Sequence, residues 1–175
     1  MALIRDARPE DAGAIAAIWN PIIRDTPITF YPLERPADEV AAMIRDRQAA
    51  GHGFFVADSG DGVGGGVAGG VIGFSSYSQF RGGPGYARSM EHTIHLTDAA
   101  RGRGVGRALM TYLHDHARRA GARLMIGAIT ASNAGSIAFH KRLGYAEWGR
   151  IPAAGWKFGR YHDLILLGLD LAPES

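Results

Sequence analysis

The densest chemical signal in the chain is Arg101-Gly102-Arg103-Gly104-Val105-Gly106-Arg107, in which three alternating glycines stand among three arginines. Glycine lets a backbone come close to a ligand. Where such a run opens a helix, the N–H groups of the first turn attract an anion. Arg101, Arg103 and Arg107 add charge-assisted hydrogen bonds. A pyrophosphate suits this combination; the plainer alternative is a glycine-rich helix entry with surface arginines. A dinucleotide fold opens in a similar way, but here position 107 is arginine rather than a third glycine. The run also lies past the middle of a short chain, behind a hairpin and not within a fresh βαβ unit. Hydride transfer is disfavoured on that context.

Upstream, Ser89 to Leu96 alternates as a strand, with Glu91, Thr93 and His95 on one face and Met90, His92, Ile94 and Leu96 on the other. A carboxylate in a partly closed cleft has a raised pKa and can serve as a general base. Glu91 is the candidate. Its structural alternatives are a pair with an arginine or a cap on the strand. His95 shares that face but stands about 13 Å further along, and His92 points the other way, so neither joins Glu91 on one proton. Neither histidine has metal-ligand spacing, and no metal is expected. The chain contains no cysteine. That excludes a disulfide framework, a thiolate zinc site and a cysteine acyl-enzyme, so transfer without a cysteine intermediate is the expectation.

These residues need elements to hold them. Leu3 to Asp6 reads as a first strand. Pro9, Glu10 and Asp11 open a helix through Ile15, Ile18, Trp19 and Ile22, which must stop before Pro27. A loop follows to Phe30, then a second helix from Pro36 to just before Gly51. Phe54 to Ala57 and Val67 to Tyr77 read as strands joined by a glycine-rich hairpin, whose glycines lack the Lys-Ser/Thr of a phosphate-binding loop. After the Arg101–Arg107 run come a helix ended by Gly121 and a strand from Leu124 to Thr130. A helix then runs from an Asn133 cap through Phe139 to Leu143, and strands span Tyr145–Pro152 and Trp156–Leu171. The order predicts one α/β domain over residues 1–175, with its core at about 3–171 and helices on both faces of a mixed sheet.

Glycine accounts for 25 of 175 residues, about twice the usual share of roughly 7%. The excess is not periodic, so it is not collagenous. Lys+Arg 19 against Asp+Glu 17 gives a net charge of +2, too little to argue for a nucleic-acid partner. No run of about 18 apolar residues is present, and the N-terminus lacks a signal-peptide layout; a cytoplasmic protein without a membrane partner is the expectation.

Arg101-x-x-Gly104-x-Gly106 at a strand–helix junction resembles the acetyl-CoA signature of the GNAT N-acetyltransferase superfamily. Several other segments resemble its phosphinothricin / methionine sulfoximine acetyltransferase branch. They are Ala7-Arg8-Pro9-Glu10-Asp11, Ile18-Trp19-Asn20, Thr29-Phe30, Glu91-His92-Thr93, Asn133-x-x-Ser136-Ile137, His140-x-x-x-Gly144-Tyr145 and Gly155 to Asp163. The resemblance runs from about residue 3 to residue 171. It implies a GNAT-like fold whose central strands splay apart around the pantetheine of acetyl-CoA. It further implies that the backbone of Ile94, His95 and Leu96 binds pantetheine and that Arg101 to Arg107 cradle pyrophosphate. Asn133 and Ser136 would help hold the cofactor near its thioester.

The implied reaction is acetyl transfer from acetyl-CoA to a free amine, with no metal and with Glu91 as base. The branch carries histidine at His140 where much of the superfamily has a tyrosine that protonates the departing thiolate; His140 is then that acid or a group that positions the thioester. For the acceptor pocket the candidates are Thr29, Phe30, Phe74, Arg81, Tyr86, Arg88, Lys157 and His162. Arg81 or Arg88 would take a carboxylate, and Lys157 and His162 would face the polar side chain. The implied acceptors are methionine sulfoximine, methionine sulfone or phosphinothricin, and the implied assembly is a homodimer. The alternatives are the same chemistry on a polyamine, a peptide N-terminus or a drug, and an acyl-CoA sensor without turnover.

Overall fold

The computed structural model describes residues 2–60 and 70–172. Seven strands form one sheet in the order β1-β2-β3-β4-β5-β7-β6. The strands are β1 (Leu3–Asp6), β2 (Phe54–Asp58), β3 (Val71–Gln79), β4 (Ser89–Leu96), β5 (Leu124–Thr130), β6 (Ala146–Lys157) and β7 (Arg160–Asp170). The helices are α1 (Ala12–Asp25), α2 (Ala37–Ala49), α3 (Val105–Arg119) and α4 (Ala134–Arg142). Every neighbouring pair is antiparallel except β4 with β5. This is the mixed α/β sheet that the element order predicts. Among the described residues no helix is long and apolar enough to cross a membrane.

Both sheet faces are covered, which is why β2 reads as an unbroken apolar run. Phe54, Val56, Val71 and Phe74 pack with Ile15, Ile18, Trp19 and Ile23 of α1 and Val40 and Ile44 of α2. Phe55, Ala57, Ile72 and Tyr77 point the opposite way, against Leu109, Met110 and Leu113 of α3. α1 contains Pro21 on its exposed side and continues past it. The helix closes at Thr26, whose backbone N–H and Oγ1 both donate to Ile22 O, at 3.2 and 2.6 Å.

The feature that makes room for a site is the junction of β4 and β5. Their parallel ladder has three pairs, Ser89 with Leu124, Met90 with Met125 and Glu91 with Ile126, and ends there. Beyond it β4 continues along β3, where Leu96 pairs with Gly73, and β5 continues along β7, where Thr130 pairs with Leu164. The two central strands therefore diverge from Glu91 onward.

Two sequence boundaries shift. β2 and β3 are antiparallel neighbours, as the hairpin reading requires, but β3 begins at Val71; Val67 and most of the glycine cluster fall within 61–69, outside the described residues. Trp156 and Lys157 close β6 instead of opening the last strand. The turn lies at Phe158 and Gly159, both at positive φ (51° and 72°), and glycine makes that second position unstrained. Pro152 does not end β6, because the ladder bulges between Ile151 and Gly155.

Candidate functional site

A cavity of about 790 Å³ fills the gap between the diverging strands. Its walls are β4 from Glu91 to Leu96, β5 from Gly127 to Thr130, Trp19 and Ile22 of α1, the loop residues Ile28 to Phe30, and His140 and Ser136 of α4. Arg101, Gly102, Gly104, Gly106 and Arg107 line the same cavity, so the glycine motif and Glu91 share one space.

The three glycines of the motif serve different ends. Gly102 and Gly104 adopt φ of 71° and 80°, a left-handed turn that other residues enter at a cost. Gly106 is helical, and its constraint is contact: a Cβ there would stand 3.2 Å from Phe139 Cζ and 3.3 Å from Leu96 Cδ1. Only Gly106 is glycine so that α3 can lie close to α4 and β4. The first helical bond of α3 runs from Ala108 N–H to Gly104 O, at 3.0 Å. The amides of the preceding turn, Val105 to Arg107, have no helical acceptor and point as a cluster of donors. Arg101, Arg103 and Arg107 are exposed beside them, and Arg101 also pairs with Asp98 at 3.2 Å.

β4 presents different groups to the two sides of the sheet. On the α1/α2 side, burial raises the Glu91 carboxyl above its ordinary range while the charge of Arg47 pulls it partly back. His95 on the same side packs on Trp19 and Phe74, at 5.9 and 5.5 Å between ring centroids, and burial lowers its pKa to about 4. On the α3/α4 side, His92 stacks on His140 at 4.9 Å and 16°. Tyr145 meets both rings edge-on and shares its hydroxyl with His114 Nε2, at 2.8 Å. Residue 127 must be small here, since a Cβ would stand 2.9 Å from His92 Nε2.

The tautomer of His140 follows from its partner. Nδ1 lies 2.7 Å from the Ser136 carbonyl oxygen, which only accepts, so Nδ1 carries the hydrogen. Nε2 is then a bare lone pair, and it is buried without a protein partner. Burial lowers the pKa of His140 and lowers that of His92 further, so both rings are neutral at pH 7.

The model of the Acetyltransferase (GNAT) family matches residues 19–145, a stretch that contains β4, the glycine motif and α4. The chain belongs to the GNAT acetyltransferase family. An L-methionine sulfoximine/L-methionine sulfone acetyltransferase of Pseudomonas aeruginosa is 36% identical over 174 residues, covering 98% of this chain and 96% of that protein. The solved structure of yncA of Salmonella typhimurium, an acetyltransferase with its cofactor acetyl-CoA, matches with a TM-score of 0.90 at 31% identity. That match covers 100% of this chain and 96% of the other. A phosphinothricin acetyltransferase of Sinorhizobium meliloti in complex with AcCoA matches with a TM-score of 0.87 at 30% identity, over 97% of this chain and 88% of that one.

Within this GNAT acetyltransferase, the residues that the sequence offers for an acceptor pocket fall in different places. Thr29 and Phe30 line the cavity. Arg81, Tyr86 and Arg88 lie in the exposed connection between β3 and β4, outside the cavity lining, with Arg81 5.7 Å over the Tyr86 ring. Phe74 is fully buried between Phe54 and Trp19 and is not part of this cavity's lining. Lys157 is buried, and its ammonium donates to the carbonyls of Ile23 (2.5 Å), Thr26 (2.8 Å) and Thr29 (2.7 Å), so all three N–H groups are occupied. His162 donates Nε2–H to Lys157 O at 3.1 Å and stacks on Phe30. These two residues hold the cavity wall and do not face the cavity. Asn133 caps α4, accepting from Ser136 N–H at 3.2 Å. Trp19, Ile22, His92 and Gly127 also line the cavity without having been singled out for it; the tertiary approach of α1 and β5 to β4 brings Trp19, Ile22 and Gly127 beside His92.

Replacing Lys157 by methionine leaves three carbonyls without their donor, at a cost on the order of 3 kcal/mol. A thermal melt of Lys157→Met is expected to show a drop of several degrees and a KM for the amine that rises more than kcat falls; an unchanged melting temperature would contradict the clamp.

Proposed function

We propose that this acetyltransferase moves an acetyl group from acetyl-CoA to the free α-amine of a small amino acid or analogue, of the class of methionine sulfoximine, methionine sulfone and phosphinothricin. The observation that carries this reading is the single cavity that Glu91 and the glycine turn both line, in the gap between β4 and β5. The chain's own groups fit the co-substrate. The left-handed turn at Gly102 and Gly104, the donor cluster ahead of α3 and the exposed arginines suit a pyrophosphate. The open edges of β4 and β5 suit an extended pantetheine. Bound acetyl-CoA supplies the acetyl group activated as a thioester.

An aliphatic amine is mostly protonated at neutral pH and must lose a proton before it can attack. Glu91 lies on the acceptor side of β4, and its raised pKa matches it to that proton. His140 lies on the opposite side with Nε2 unprotonated. It can deliver a proton to the departing sulfur only after accepting one at Nε2. His92 stacks on that ring and fixes its plane.

In an assay with a panel of amines, Glu91→Gln is expected to lower kcat/KM about 100- to 10,000-fold. Unchanged turnover would remove Glu91 as the base. In the wild type, kcat/KM rises with pH through a midpoint above the ordinary glutamate value of about 4.3, because only the ionised carboxylate takes the proton. Turnover of a peptide N-terminus or a polyamine but of no amino acid would replace the acceptor class. Coenzyme A binding by calorimetry without product from any amine would make the protein a sensor.

We read the chain as a homodimer. β6 is the sheet's edge strand, and its hairpin with β7 exposes Trp156 (58%), Phe158 (57%) and Tyr161 (68%), an apolar row that a soluble protein normally covers. Light scattering is expected to give twice the chain mass, falling to the monomer mass in Trp156→Glu; a monomeric wild type refutes this.

A further inference from the structure

His92 is a buried imidazole without a partner. It is 8% exposed, and among the described residues neither Nδ1 nor Nε2 makes a hydrogen bond. A neutral imidazole carries one N–H, and a buried N–H without an acceptor is costly. Yet the ring belongs to the cavity wall, as does Gly127 of β5. A Cβ at residue 127 would stand 2.9 Å from His92 Nε2 and 3.7 Å from His140 Cδ2, the ring atom bonded to Nε2. The Nε2 edges of both rings thus converge over one glycine.

That spot is where the gap opens. Glu91 and Ile126 are the last pair of the β4–β5 ladder, so His92 and Gly127 are the first residues beyond it. With Glu91 as the base for the amine, the bond that breaks belongs at this level of the gap, in the same space as the two imidazoles. The rings are not equivalent. His140 gives its Nδ1–H to the Ser136 carbonyl, so while neutral it can only accept at Nε2. His92 has no such partner, and its hydrogen is free to sit at Nε2. The titratable groups packed around the pair are Tyr145 and His114, joined by a hydrogen bond of 2.8 Å, and burial keeps all four uncharged at neutral pH. A neutral N–H is then what this cluster can offer to a sulfur that gathers charge.

We propose that His92 donates Nε2–H to the departing sulfur of acetyl-CoA and is a second catalytic group beside Glu91. This rests on the acetyl-transfer reading given above. As the C–N bond forms the C–S bond breaks, and its electron pair stays on sulfur. His92 keeps its hydrogen and holds that charge through a hydrogen bond, while the protons shed by the amine leave by way of Glu91. No proton has to be loaded on His140 beforehand. A buried donor set in place before the charge appears needs no reorganisation when it does.

The test uses coenzyme A and desulfo-coenzyme A, in which hydrogen replaces the thiol, with wild type, His92→Phe and His92→Gln. His92→Phe keeps a flat ring beside His140 but has no N–H; His92→Gln returns an N–H. The bound thiol is titrated through the ultraviolet absorption of its thiolate. Its midpoint is expected about one pH unit higher in His92→Phe than in wild type, because the hydrogen bond that favours the thiolate is gone. His92→Gln is expected to recover part of that shift. Calorimetry is expected to give one affinity for desulfo-coenzyme A in all three proteins, which shows that the fold and the rest of the site stand. An unchanged midpoint in His92→Phe, or the same shift in His92→Gln as in His92→Phe, would overturn the assignment. So would an equal loss of affinity for both compounds, the mark of a structural role. Wild type that binds neither compound would overturn the acetyl-transfer reading, and this assignment with it.

Discussion

Everything in the site depends on a parallel ladder that stops early. β4 and β5 share three residue pairs, the last being Glu91 with Ile126. Past that point each strand satisfies its backbone on its outer neighbour, β3 or β7, and leaves the inner edge free. An unpaired edge inside a sheet is normally a fault, because buried N–H and C=O groups need partners. Here it creates a cleft walled by hydrogen-bonding backbone, suited to a guest that is itself extended and rich in amides. The imidazoles of His92 and His140, stacked beside Gly127, fill one side of the opening.

The alternation of β4 then divides the chemistry between two sides. A pleated strand sends neighbouring side chains to opposite faces, so Glu91 and His92, adjacent in sequence, enter unlike surroundings. Glu91 stands among hydroxyls with one arginine near. His92 enters an aromatic pocket of His140, Tyr145 and His114, where burial holds the imidazoles neutral. Glu91 and the imidazole cluster thus stand on opposite sides of the sheet, a strand's thickness apart.

Much of this was legible in the sequence because local rules govern it. The helix at Val105, the Asn133 cap, the alternation through Glu91 and the positive-φ glycines at 102 and 104 follow from short-range geometry. The family resemblance added the roles expected of Glu91 and His140, which spacing alone leaves open. What sequence reasoning misplaced was the burial of long polar side chains. Lys157 and His162 look like substrate contacts by type, yet tertiary packing turns both onto backbone carbonyls. Phe74 looks like a pocket wall and is core, since its strand is covered on both faces. Gly106 reads as one more glycine of the motif, and only the approach of Phe139 shows that its reason is contact between helices.

The Lys157 clamp joins distant parts of the chain. Its ammonium closes on Ile23, Thr26 and Thr29, more than 120 positions earlier, with sequence separations of 134 for Ile23 and 128 for Thr29. Contacts of such separation form late, because the entropy of closing so long a loop must be met first. During synthesis the helices and the first strands emerge with the segment from Ile23 to Thr29 still untethered, and β5 has no outer neighbour until β7 leaves the ribosome. The cavity is therefore completed only by the last few dozen residues, and a protein cut short before the final hairpin would keep the glycine turn and Glu91 but lose the lysine that holds Ile23, Thr26 and Thr29 in place.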